Sequence, residues 1–429
     1  MKFLLHSHFP AGHAYPMQAI AQELVARDHE VVWLTSAVHQ VSVEATGATF
    51  APTTQVALID EPLAKEGATG LLDGQYSRQE GRLLAQVEDY RSILKDFEAD
   101  VLLVDVFPYG AKALWELGEI PAYATLGVIP MYTSNARSPP AVSGKSPPKS
   151  LLGTISNVIQ QLVKRLGVLP LQLKPILDRQ RRGLGLKALP WFAPEEDYIY
   201  SPLLHIQASS LALEFGQDRK VKSGAMPTVF VGPLVAPANQ RLPRLPPWWN
   251  VLFEWRPVVG ITQGTLATDP TSLILPAIQA LANSDKLTLV VVSPHAAAIA
   301  ATTKNPRNAH FATFLPYHLF LPRLSLLITN GGYGSITQAL AHGVPLLCAG
   351  QTEDKKDTAA RVAWCGAGID LKTDTPSVKE IRDAADEILG YARDYKENAR
   401  QLGRELNGLG GATRACDVLE AFAQAAAEE

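Results

Sequence analysis

Residues 324–362 read LSLLITNGGYGSITQALAHGVPLLCAGQTEDKKDTAARV, and no other stretch restricts the fold as strongly. Leu324 to Thr329 is a short apolar run with the look of a buried strand. It ends in Asn330-Gly331-Gly332-Tyr333-Gly334. The spacing predicts that Ser335 opens a helix with Ile336, Ala339 and Leu340 on one face. Gly343 stops that helix and Pro345 prevents its continuation. Val344 to Ala349 is a second apolar run, followed by Glu353-Asp354. A strand, glycine loop, helix and strand in this order aim backbone N–H groups and a positive helix end at one spot, as a phosphate requires. Ser335 with Gln338 also fits a capping box, which needs no ligand. On the loop alone the two readings stand level.

At 429 residues the chain exceeds one ordinary core, so two domains are expected. Hydrophobic residues at 47% and charged residues at 19% fit a globular protein and exclude a disordered one. A net charge of −3 without a long basic run argues against a nucleic-acid partner. Cys348, Cys365 and Cys416 are widely spaced, lack metal-ligand spacing and are odd in number. Reduced thiols and a cytoplasmic location follow. No apolar run reaches about 18 residues, so no membrane span is expected. His6, Ser7 and His8 interrupt the apolar start, which reads as a first strand.

That strand covers Phe3 to His6. Residues 9–16 read as a loop ending on Pro16 at a helix start. Met17, Ile20, Ala21, Leu24 and Val25 then share a helical face, and Glu30 to Thr35 is the second strand. Strand–helix–strand units of this length imply parallel, right-handed crossovers. Val101–Val104, 110–117 and 122–125 repeat the pattern, so the first half is a doubly wound α/β domain. Residues 135–150 hold four prolines and read as a loop, and 151–185 carry an amphipathic helical pattern. Proline density rises again after Val231-Gly232-Pro233-Leu234, which marks a linker. Val258 to Thr262, Leu287 to Val292 and Leu326 to Thr329 are the strands of a second α/β half.

Ligands of open parallel sheets bind at the carboxyl ends of strands. Four loops lie there: 8–16, 105–109, 263–268 and 330–335. If the halves face each other, all four converge on one cleft. His13 stands near a helix start, where the positive helix end keeps imidazole neutral and able to accept a proton. Asp105, directly after a buried strand, is placed to bond its other nitrogen and fix the tautomer. The plainer alternative makes His13 a loop histidine and Asp105 a helix cap. No Asp-x-Asp pattern offers a metal site. Backbone N–H groups, Ser335 and Thr265 are left to meet a phosphate.

These residues resemble the family 1 glycosyltransferases of the GT-B fold, close to the macrolide-type and plant-type UDP-glycosyltransferases. Gly12-His13-x-x-Pro16 matches that family's N-terminal base motif. Asp105 with Leu117-Gly118-Glu119-Ile120-Pro121 matches its aspartate segment. Val231-Gly232-Pro233-Leu234 matches the linker entry, and Phe314-Leu315-Pro316 through Asp354-Lys355 the donor-binding signature. The resemblance implies two Rossmann-like domains: an acceptor domain over 1–232, a linker over 233–250, and a nucleotide-sugar domain over 251–405. A C-terminal helix over 406–429 is expected to pack back on the first domain.

The resemblance also implies roles. His13 is the base and Asp105 its partner. Phe314 stacks on the nucleobase and Leu315 offers backbone contacts. Thr265, Asn330, Gly332, Gly334 and Ser335 surround the diphosphate, Gln338 takes the ribose position, and Asp354 and Lys355 face the sugar. Four positions depart from the family: Asn330 replaces histidine, Gln338 glutamate, and Lys355 and Tyr317 glutamines. The implied reaction inverts the anomeric carbon without a metal or cofactor. It moves a hexose, expected to be glucose, from a nucleoside-diphosphate sugar, expected to carry UDP, to a hydroxyl of a hydrophobic small molecule. The acceptor walls are expected within 60–90, 107–109, 127–135 and 150–200.

Two rivals remain at this point. Gly332-x-Gly334 followed by Glu353-Asp354 approaches a dinucleotide-binding pattern, that of an NAD(P)-dependent oxidoreductase. A non-catalytic auxiliary subunit of glycosyltransferase type is the other, and the presence of both His13 and Asp105 speaks against it.

Overall fold

The computed structural model describes residues 1–65, 82–215, 227–236, 245–264, 269–390 and 394–428. They form two compact units, each built on one parallel sheet. The first unit comprises residues 1–140, 147–237 and 409–429, and the second 141–146 and 238–408. The chain therefore passes into the second unit for six residues inside the proline-rich loop, which its composition did not signal.

Seven strands make the first sheet: β1 (Lys2–His6), β2 (Glu30–Thr35), β3 (Thr49–Pro52), β4 (Val101–Val104), β5 (Tyr123–Gly127), β6 (His205–Gln207) and β7 (Thr228–Phe230). Their order is β3-β2-β1-β4-β5-β6-β7, all parallel. Phe3, Leu4 and Leu5 of β1 and all four residues of β4 are buried, as strands covered on both faces must be. The strand order reverses between β1 and β4, which pair His6 with Val104. The loops leaving these strands therefore diverge from a shared edge, the usual ligand position in such sheets.

The second sheet repeats the plan with β8 (Val258–Thr262), β9 (Thr288–Val292), β10 (Ala309–Ala312), β11 (Leu326–Thr329), β12 (Leu346–Cys348) and β13 (Gly368–Asp370). Their order, β10-β9-β8-β11-β12-β13, reverses between β8 and β11, where Thr262 pairs with Thr329. Its core joins Val259, Ile261, Leu289, Val291 and Ile328 to Ala277, Ile278 and Ile381 from flanking helices.

Helix α1 (Ala11–Ala26) begins earlier than expected: Pro10 is its N-cap and Pro16 lies inside it. A proline so near the start forfeits one backbone bond, to the carbonyl of Gly12, and its fixed φ suits the helix. His13 is thereby carried on the first helical turn, where its N–H bonds the Pro10 carbonyl at 2.9 Å. Helices α2 (Leu83–Leu94), α3 (Tyr109–Glu116), α4 (Leu151–Val163) and α5 (Lys174–Gly183) follow in the first unit. Residues 164–173 continue α4 as π-helical turns. The second unit holds α6 (Ile274–Leu281), α7 (Tyr333–Ala341), α8 (Lys355–Trp364), α9 (Val378–Leu389) and α10 (Tyr395–Asn407). No described helix is long and apolar enough to cross a membrane.

The last helix, α11 (Gly411–Glu428), packs on α1 within the first unit. Arg27 at the end of α1 donates to Asp417 at 2.9 Å, to Glu420 at 3.1 Å and to the Thr413 carbonyl at 3.0 Å, while its Nε holds Glu23 at 3.0 Å. Several partners for one half-buried guanidinium make this a network, which lone surface pairs are not. Arg27→Ala is expected to cost about 1–2 kcal/mol, read as a drop of a few degrees in Tm.

Among the histidines buried in the first unit are His6, closing β1, and His205, opening β6. Burial lowers the pKa of His6 to about 3, helped by the neighbouring His8 and Arg82 and opposed by Asp105. Burial likewise lowers His205 to about 4 against its bonds to Gln207 and Thr125. The unfolded chain accepts protons near pH 6.5 that the folded one refuses. Their contribution is therefore intact above that pH and lost as pH falls, by about 1.4 kcal/mol per pH unit for each. Tm measured between about pH 7 and 5 should fall, and His205→Gln should make the slope shallower.

Candidate active site

The edge between β1 and β4 gathers His8, Asp105 and His13. Asp105 is fully buried immediately beyond β4. Its Oδ2 accepts from His13 Nδ1 at 2.6 Å and from the His8 backbone N–H at 3.0 Å. Its Oδ1 accepts from its neighbour's Val106 N–H at 2.7 Å and from His8 Nδ1. Burial alone would raise this carboxyl's pKa. Charge and hydrogen bonds from His8 and His13 override that and hold it well below the usual carboxylate range. An ionised Asp105 can only accept, so both imidazoles must present Nδ1–H to it. In neutral His13 the lone pair is then on Nε2, the form that can take a proton.

The same three groups are the one cluster of cation-ligand type among the described residues. Ligand atoms arranged tetrahedrally at zinc distances stand about 3.3 Å apart. Here each Nδ1 sits at hydrogen-bond distance from a carboxylate oxygen, so the cluster is drawn together by protons. Its surroundings are rigid. His6 Nδ1 bonds the Tyr90 hydroxyl at 2.6 Å, and the His6 and His8 rings stack at 5.3 Å between centroids. Phe107, two residues after Asp105, has φ 58°, a strained value for an aromatic residue. Its N–H bonds the Ile199 carbonyl at 3.0 Å and its carbonyl accepts from Gln86, which hold it there.

The sequence alone does not single out His8. It is wholly buried and its Nε2 has no hydrogen-bond partner among the described residues. The available signal was its position two residues beyond β1, beside the strand that delivers Asp105. Reading it required knowing that β1 and β4 are neighbours.

The edge between β8 and β11 gathers the loop of the second unit. Asn330 follows β11, is 6% exposed, and donates from Nδ2 to the Gln263 carbonyl at 2.6 Å. That bond ties the two strand ends together across the reversal, and Asn330 Oδ1 is buried without a hydrogen-bond partner among the described residues. Gly331 has φ 93°, which a side chain would strain. Gly350, at the end of the β12 segment, approaches so closely that a Cβ there would lie 2.0 Å from the Asn330 carbonyl oxygen.

Helix α7 starts at Tyr333, two residues before the expected Ser335. Its N-cap is Gly332, and no side chain caps it. The capping-box reading of Ser335 and Gln338 therefore fails: both lie within the helix. The Ser335 N–H bonds the Gly332 carbonyl at 3.1 Å, and Gln338 Nε2 bonds the Gly334 carbonyl at 3.1 Å. The glycine run reaches further into the helix start than a serine cap would allow, because nothing crowds Gly332 or Gly334. A Cβ on either would meet no atom within 4 Å.

Phe314, just beyond β10, is 74% exposed with its ring open to a partner, whereas Leu315 is buried. Asp354 is the N-cap of α8, and its carbonyl accepts from Thr358. Lys355 is buried, with Nζ bonded to Glu353 Oε2 at 2.5 Å and to Thr352 Oγ1 at 3.2 Å, so its charge is already partnered. Tyr317 opens a short helical turn. Thr265 and residues 266–268 lie outside the described residues, as does much of the expected acceptor wall at 60–90.

Residues 277–411 match the family described as Erythromycin biosynthesis protein CIII-like, C-terminal domain. The chain is 34% identical over 421 residues to 4'-demethylrebeccamycin synthase of Lentzea aerocolonigenes, covering 95% of this chain and 96% of that protein. It is 30% identical over 440 residues to UDP-glucosyltransferase B1 of Starmerella bombicola, covering 96% and 95%. Among solved structures it is similar to the kitacinnamycin glycotransferase, with TM-score 0.72 and 20% identity over 98% of each chain. The spinosyn rhamnosyltransferase SpnG complexed with thymidine diphosphate gives TM-score 0.69 and 22% identity, covering 98% of this chain and 100% of that one. The structural likenesses carry the fold, two parallel α/β sheets of GT-B type, and the sequence likeness over nearly the whole chain carries the kinship. With its doubly reversed sheets and buried histidine–aspartate cluster, this chain belongs to the family 1 glycosyltransferases.

Proposed function

We propose that the protein transfers a hexose, glucose in the first instance, from a nucleoside-diphosphate sugar to a hydroxyl of a hydrophobic small molecule. The reaction inverts the anomeric carbon and needs no cofactor. The observation that carries this reading is the Asp105 carboxylate, which holds His13 by Nδ1 at 2.6 Å and leaves Nε2 as the base. As the acceptor oxygen attacks the anomeric carbon, its proton passes to His13 Nε2. The bond from that carbon to the diphosphate oxygen breaks, and the pair of electrons leaves with the nucleoside diphosphate. Asp105 stabilises the imidazolium that forms.

The leaving group gains charge, and the start of α7 is suited to receive it. Gly332 and Gly334 keep the approach open, Ser335 adds a hydroxyl, and the helix end is positive. No divalent ion is invoked in this reading. Exposed Phe314 is assigned to the nucleobase, with Leu315 backbone groups beside it. Gln338 is assigned to the ribose, and Asp354 with Lys355 to the sugar hydroxyls. Asn330 acts first as a tie between strand ends, because its amide hydrogens face Gln263.

UDP is the nucleotide proposed, in keeping with the name of the Starmerella bombicola relative. The SpnG structures hold thymidine diphosphate in one case and spinosyn aglycone in another. A panel of UDP- and dTDP-sugars against polycyclic, phenolic and sterol acceptors therefore comes first. The described cysteines are all free, in keeping with a reducing, cytoplasmic setting.

His13→Ala should reduce transfer by at least about 100-fold while UDP still raises Tm, since the base belongs to the first unit and the diphosphate loop to the second. Transfer at the native rate in this variant would discard the base assignment. Stabilisation by NAD and not by UDP would favour an oxidoreductase.

Two glycine variants separate folding from binding. Gly334→Ala meets open space and should leave Tm within about 1–2 °C while weakening UDP binding, measured by calorimetry. Gly350→Ala drives a methyl group into the Asn330 carbonyl and should destabilise the fold by about 1–3 kcal/mol, as overpacking does, read as a lower Tm.

A further inference from the structure

Helix α4 is built inside out. Its polar residues face the protein: buried Asn157 donates to the carbonyls of Ala136 at 3.0 Å and Ser138 at 2.8 Å, and Gln161 donates to the Ser138 carbonyl at 2.9 Å. Just beyond it, Lys164 pairs with Glu195 at 2.6 Å. Its apolar residues face solvent. Leu151, Leu152, Ile155, Ile159, Leu162 and Val163 are between 48% and 80% exposed. At 100° per residue these six fall on one arc of about 120°. A helix in a soluble protein normally turns such an arc to the core, so this one is available for a partner.

The charge around it indicates which partner. Residues 147–192 carry eight lysines and arginines against one acid, Asp178, in a chain whose net charge is −3. Lys164, Lys174 and Arg181 are spent on Glu195, Asp178 and Glu116. Lys149, Arg179, Arg182 and Lys187 are exposed and form no ion pair among the described residues, while Arg165 lies in the field of Asp197. Exposed Trp191 and Phe192 adjoin the helix, because Arg165 Nε donates to the Phe192 carbonyl at 2.5 Å. An apolar helical face with cations and aromatic side chains beside it is the composition of a helix that lies in a lipid–water interface.

We propose that the apolar face of α4 docks on an anionic phospholipid surface. Leu151 to Val163 enter the boundary of the acyl chains, the exposed lysines and arginines meet lipid phosphates, and Trp191 and Phe192 anchor at headgroup level. A second copy of this chain is disfavoured, since a symmetric pairing would bring this cationic segment against itself. The face runs about 18 Å along the helix.

The test is flotation of the full chain with vesicles of phosphatidylcholine alone and of phosphatidylcholine with phosphatidylglycerol. The expected result is retention on the anionic vesicles only, released by salt as screening shortens the attraction. The triple variant Ile155→Glu, Ile159→Glu, Leu162→Glu should lose that retention by at least about tenfold with an unchanged Tm, because the three side chains are already in solvent. Val41→Glu, at an exposed apolar residue of another helix, should float as the parent does. Absence of the parent chain from anionic vesicles would overturn the proposal, as would retention that the triple variant leaves unchanged. A dimer seen by light scattering and dissolved by the triple variant would assign the face to a second copy and would likewise overturn it.

Discussion

The buried carboxylate of Asp105 is the interaction on which the arrangement of the first unit's histidine cluster depends. It accepts from two imidazoles and two backbone N–H groups, and in doing so it sets the protonation of everything nearby. A charge in an apolar interior is costly unless it is fully bonded, and here it is. The same bonds orient His13, exclude the wrong tautomer and make His8 part of the cluster. They form because β1 and β4 lie side by side where the strand order reverses, so that residues about a hundred positions apart meet at one sheet edge.

The second unit uses the same geometry for a different task. Its reversal between β8 and β11 brings Gln263 to Asn330, and the Asn330 side chain closes the gap between the two strand ends. The loop that follows has no side-chain cap, and its amides are left at a helix start that glycines keep uncrowded. Removing the cap costs helix stability and leaves the positive end open to an anion, a division expected at a binding site. Lys355, which the family resemblance places toward the sugar, is paired with Glu353 at its own loop. Any sugar contact it makes is therefore that of a partnered ammonium.

Helix α4 shows how far a pattern and its orientation can differ. The sequence of 151–163 carries an amphipathic period, and a helix forms there. Periodicity says that one face differs from the other and not which face turns inward. Here Asn157 and Gln161 turn inward, donating to the carbonyls of Ala136 and Ser138. The polar side is the one bonded to the protein, and the apolar side is left to the solvent.

By itself the sequence determined the alternation of strands and helices and the two parallel halves, and it offered His13, Asp105 and the glycine run as candidates. Those follow from local periods and from short-range rules about glycine, proline and strand length. Helix starts were less legible: Pro16 and Ser335 look like first residues, yet α1 and α7 begin before them, because a proline near a helix start costs little and a glycine N-cap leaves no side-chain signature. Only the tertiary structure decided that His8 shares Asp105, that Asn330 is a tie between strands and that residues 141–146 join the second unit. Each of these depends on which strands become neighbours or on where a loop is received. Strand order is settled by packing across the whole sheet, and no window of sequence contains it.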